Sequence, residues 1–68
     1  MDEDVFNRSI RKFLKILGVG AQREMEKAVR QALAQGKIKG NEKLPARATV
    51  TLGPLGLSHE ITGEIELE

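Results

Sequence analysis

The chain contains no cysteine, tryptophan or tyrosine, and only one histidine, two prolines and two phenylalanines. Without cysteine no disulfide framework exists, and a single histidine is too few for a zinc cage made by one chain. The two aromatics, Phe6 and Phe13, fall on the apolar side of a helix, so the sequence offers no stacking platform for single-stranded nucleic acid. Nucleophilic chemistry is equally short of parts. The serines are Ser9 and Ser58, and Ser58 neighbours His59 on a strand, where successive side chains point to opposite faces. No catalytic residue, metal ligand or cofactor site is therefore expected. His59 itself is read as a half-buried packing residue with a hydrogen bond. No uninterrupted apolar run reaches the length of a membrane span, and Met1 to Asp4 is acidic where a secretory signal is basic. These features predict a cytoplasmic protein with no membrane partner.

What the chain does have is a change of hydrophobic period near its middle. Up to Leu33 the apolar residues recur at three- and four-residue steps. From Leu44 they recur at every second residue: Leu44, Ala46, Ala48, Val50 and Leu52, then Leu57, His59, Ile61, Gly63, Ile65 and Leu67. A 3.6 period followed by a 2.0 period means helix first, then strands with one wet face.

The periodicity predicts an α+β fold of order α-α-β-β in one domain, residues 1–68. A first helix over about 4–17 has Phe6, Ile10, Phe13, Leu14 and Leu17 on one face, with Val5 and Ile16 at its margin. Asp2, Glu3 and Asp4 supply a cap and negative charge at its start. Gly18, after the last apolar residue, is read as the stop. A second helix over about 21–35 carries Met25, Ala28, Val29, Ala32 and Leu33, and Gly36 and Ile38 are placed to form a Schellman ending. The short Gly18-Val19-Gly20 link makes the two helices a pair covering the apolar face of a hairpin. Strands are expected over about 46–52 and 57–67, joined by Gly53-Pro54-Leu55-Gly56 with Pro54 at the second position of a type I turn. Pairing Leu52 with Leu57 brings Val50 to His59, Ala48 to Ile61 and Leu44 to Ile65, with every apolar residue on one side. Pro45 is expected to end regular pairing. The expected core is Phe6, Ile10, Phe13, Leu14, Leu17, Met25, Val29, Leu33, Val50, Ile61 and Ile65.

Charge is unevenly spread. Residues 8 to 47 hold all eleven cations against three carboxylates, a net +8, while the flanks hold the other seven carboxylates. Arg8, Arg11 and Lys15 on the first helix and Arg23, Lys27 and Arg30 on the second form stripes opposite the apolar faces. They are the candidate surface for nucleic acid or an acidic partner. Leu17-Gly18-Val19-Gly20 also resembles the turn of a helix-turn-helix, but Leu14 and Glu24 stand where such a motif wants a small and an aliphatic residue. Lys37, Lys39 and Lys43 follow a helix C-terminus, where cations complement the dipole, and lack a glycine-rich phosphate motif. Glu60, Glu64 and Glu66 form an acidic row that guards a strand edge. The resulting expectation is a non-enzymatic module that binds an unknown protein partner or regulates one. Nucleic-acid binding is the alternative. A weak homodimer through Val5 and Ile16 is expected as well, since a single hairpin does not cover so wide an apolar arc.

The segments Ser9 to Lys15, Gln22 to Arg30, Gly36 to Leu44 and Gly63 to Glu68 together resemble a family of short bacterial proteins classed as a domain of unknown function. The resemblance spans essentially the whole chain. It implies a small stand-alone protein and carries no activity, ligand or catalytic residue.

Overall fold

The computed structural model describes all residues, Met1–Glu68. It contains one helix, α1, Glu3–Ala34, followed by strands β1, Lys43–Leu52, and β2, Leu57–Glu66, joined by a single 3-10 turn at Gly53–Leu55. The chain divides into two compact units, Met1–Lys37 and Ile38–Glu68.

The first unit corrects the expected helix pair. Helices over 4–17 and 21–35 are replaced by one continuous helix of 32 residues that runs through Gly18-Val19-Gly20. The glycines with positive φ are Gly36, Gly40 and Gly56, so Gly18 does not adopt the left-handed geometry of a helix stop. The energetics favour continuity. Each interior glycine costs a helix about 1 kcal/mol relative to alanine. Breaking the helix instead strands four carbonyls on one side and four N–H groups on the other. No proline lies between residues 3 and 34 to force that break.

The ends of α1 follow the sequence closely. At the start, the backbone N–H groups of Asp4 and Val5 donate to the Asp2 carboxylate at 3.0 and 3.2 Å. This is an N-cap, with Glu3 and Asp4 adding negative charge to the first turn. At the finish, Lys37 N–H donates to the Ala32 carbonyl at 2.9 Å and Gly36 N–H to that of Leu33 at 3.1 Å. Together with Gly36 at φ 72°, that bond pair is a Schellman motif.

The second unit is an antiparallel hairpin in the expected register. Leu52 pairs with Leu57, Val50 with His59, Ala48 with Ile61 and Leu44 with Ile65. Gly56 N–H donates to the Gly53 carbonyl at 3.0 Å across Pro54 and Leu55, and Gly56 then turns left-handed at φ 67°. Pro45 does not end the ladder, because β1 begins at Lys43 and Pro45 stands opposite Glu64. In a two-stranded ladder every second N–H points to solvent, and proline at such a position loses no bond.

The expected core is also corrected. No residue of the chain is buried. Of the eleven core candidates Val29, Val50 and Ile65 are half-buried, and the remaining eight are exposed. With one helix where two were expected, no helix hairpin exists to shut the apolar stripe of α1 on itself.

Candidate interaction surface

α1 carries the larger exposed apolar surface. At 100° per residue, Phe6, Ile10, Phe13, Leu14 and Leu17 share one face, and Ala21, Met25, Ala28, Val29, Ala32 and Leu33 continue it, displaced by roughly 75° around the cylinder. The face is thus a shallow spiral along one helix. Its members recur every eleven residues: Phe6, Leu17 and Ala28; Ile10, Ala21 and Ala32; Leu14 and Met25. Phe6 is 44% exposed, Phe13 53% and Leu17 39%. The first half of the face is wet throughout, and in the second half Val29 and Ala32 are half-buried. Val5 and Ile16, the candidate self-association residues, are exposed as well and lie outside the centre of the spiral.

The six basic candidates all lie on α1. Arg8, Arg11 and Lys15 sit opposite the first half of the apolar face, and Arg23, Lys27 and Arg30 opposite the second half, so the basic band winds with the apolar one. Continuity of the helix removes the turn that a helix-turn-helix needs, which overturns that likeness. Arg8 and Arg11 line a shallow open depression with Asn7 and Asp4, and the Asp4 carboxylate opposes anion binding there. Arg30 is partly engaged, its guanidinium lying 3.4 Å from Glu26. The Glu26 carboxylate also accepts from the Gln22 amide at 3.0 Å, and these two hydrogen bonds, Gln22 first, hold its carboxyl below the ordinary value. This ladder at four-residue spacing is solvated and supports the helix only weakly.

The loop of Lys37 and Lys39 has its own anion. Lys39 N–H and Gly40 N–H donate to the Glu42 carboxylate at 2.8 and 2.9 Å, with Gly40 at φ 103°. Those donors lower the Glu42 carboxyl's pKa. The backbone groups that would cradle a phosphate are thus occupied by a side chain of the same loop, in keeping with a structural role for these lysines.

On the hairpin, Leu44, Ala46, Val50 and Ile65 are half-buried, whereas Leu52, Leu57 and Ile61 are exposed. His59 departs from its expected packing role, since it is exposed and makes no side-chain hydrogen bond. The strand pair is too thin to bury an imidazole. Glu60 of the acidic row lies 3.9 Å from Arg47 on the neighbouring strand, a solvated pair of little energetic weight.

Residues 1–68 match a family model described as a family of unknown function (DUF6494). The chain belongs to this family. The match covers the whole chain, as the sequence resemblance implied, and it brings no activity with it. No curated protein and no solved structure matches the chain. The surfaces described above are therefore the available guide to function. No helix of the chain is long and apolar enough to cross a membrane.

Proposed function

We propose that this chain is a small non-enzymatic interaction module whose working surface is the apolar face of α1. One observation carries the reading: a helix of 32 residues presents Phe6, Ile10, Phe13, Leu14 and Leu17 on one face, and none of them is buried. Isolated helices are marginal in water, and most helical stability in proteins comes from packing an amphipathic face. A contiguous exposed apolar surface of this kind marks a contact site. A regulatory role and a cytoplasmic setting, both expected from the sequence, belong to the same proposal.

The test is the size of the protein in extract from its native host. Wild type should travel in a species larger than one chain. Phe13→Asp and Leu17→Asp, which place a charge in the face, should travel as single chains. Wild type at the mass of one chain would remove the reading.

Nucleic-acid binding stays as a second reading because Arg8, Arg11, Lys12 and Lys15 have no carboxylate within salt-bridge distance. Binding of duplex DNA or structured RNA that weakens steeply with salt, and is lost when Arg11 and Lys15 are reversed to Glu, would favour it.

A further inference from the structure

We propose that the occupant of the α1 face is a second copy of the same chain, lying antiparallel along it. This rests on the reading that the face is a contact surface, and adds the partner and its orientation.

The argument starts from the distribution of side-chain size. The first half of the face carries only large residues, Phe6, Ile10, Phe13, Leu14 and Leu17, whereas in the second half Ala21, Ala28 and Ala32 alternate with Met25, Val29 and Leu33. An antiparallel pair symmetric about Val19 sets Phe6 against Ala32, Ile10 against Ala28 and Leu17 against Ala21. Phe13 falls on Met25, and Leu14 beside Met25 and Glu24. Large meets small at three levels on each side of the centre, interrupted by the Phe13–Met25 level, and this favours even packing between two helices. A parallel pair sets Phe6 on Phe6 and Ala28 on Ala28, which overpacks one half and leaves voids in the other.

Two further features agree. The eleven-residue recurrence advances 3.67 residues per turn, so two helices can follow the spiral seam by winding around each other with a right-handed sense. Charge is complementary end to end. Asp2, Glu3 and Asp4 of one copy come alongside the exit of the other helix, where Lys37 and Lys39 follow Gly36. Antiparallel macrodipoles are favourable too, whereas a parallel pair stacks acidic cluster on acidic cluster. The seam is about 48 Å long. A strip of that length and roughly 10 Å wide, with side-chain relief, approaches the ~800 Å² per partner of a standard stable interface. A lipid surface has no use for the size pairing.

The absence of native cysteine makes the test direct. Ile10→Cys and Ala28→Cys variants are oxidised separately and as an equimolar mixture. In the antiparallel pair like thiols stand about 27 Å apart, far beyond disulfide reach, so only the mixture should cross-link. Cross-linking of each variant with itself would overturn the orientation. Sedimentation over a hundredfold range of concentration supplies the second arm. Leu17→Ala and Ala21→Leu, both good helix formers, should each weaken the dimer by about tenfold. The double variant, which reverses the size pattern at that level, should recover most of the loss. A double variant no better than the singles would overturn the pairing. A purified chain that stays monomeric throughout would overturn the dimer, and so would a monomer that becomes helical only on phosphatidylglycerol vesicles. If the native-host extract still shows a larger species, the interaction reading survives while this inference does not.

Discussion

Replacing Gly18 and Gly20 together with alanine should stabilise α1 by about 2 kcal/mol, roughly 1 kcal/mol for each residue. The figure follows from the backbone. Neither glycine has a positive φ, and a Cβ built on either meets no atom within 4 Å. Alanine therefore gains its helical preference, which arises largely from its smaller unfolded-state entropy, with no steric cost. Two kcal/mol shifts a folding equilibrium by up to about thirtyfold. The assay is helical circular dichroism during urea titration, at a protein concentration where both chains sediment as monomers, so that mass action does not mix association with helix stability. The double variant should hold its helix to higher urea than wild type, with each single variant between. A drop in helicity would refute the reasoning. It would mean that the chain leaves the helix at Gly18, as in a two-helix hairpin, where alanine at a left-handed position is strained.

Two more outcomes can be checked by nuclear magnetic resonance. Glu42→Gln should speed amide exchange at Lys39 and Gly40 at neutral pH, because the carboxylate that accepts both bonds is gone. The Glu42 carboxyl is held below its ordinary value of 4.5, so its stabilisation is present above that value and is lost as pH falls through the lowered one. The difference between wild type and Glu42→Gln should accordingly vanish toward acid, and equal exchange at neutral pH would contradict the contact. Gly56→Ala should weaken the hairpin by about 1–2 kcal/mol, the penalty for a left-handed alanine. Space is open around its Cβ, so no clash adds to that cost. Unchanged cross-strand contacts between Leu52 and Leu57 would contradict the turn geometry.

The hairpin was legible because its signals are local and redundant. Alternation on both strands and the four-residue turn admit only the Leu52–Leu57 register, since a slip of one residue sends every side chain to the other face. The start of α1 at Asp2 and its end at Gly36 are equally local, each written in a few residues that bond to one another. The middle of the helix was not legible by the same rule. A glycine after an apolar residue marks a stop only if the backbone there turns left-handed, and residue identity does not decide that. A longer-range signal was present: Ile10 to Ala21 and Leu14 to Met25 keep phase across Gly18-Val19-Gly20 at eleven residues. A true break would reset that phase, because nothing couples the azimuths of two helices through a flexible link.

The same misplaced stop carried over into the site. Two short helices can close their apolar faces on each other, and Val5 and Ile16 then become the leftover margin where a partner would sit. One long helix cannot fold back on itself, so the central stripe is exposed together with Val5 and Ile16. Residues that look like core in the sequence and are wet in the chain are the signature of an interface that needs a second molecule. The bias of size along α1, whose alanines all fall in its second half, is not needed to bury one helix in its own chain. It has a use when the face meets its own reverse, and this makes the bias a constraint on partner and orientation.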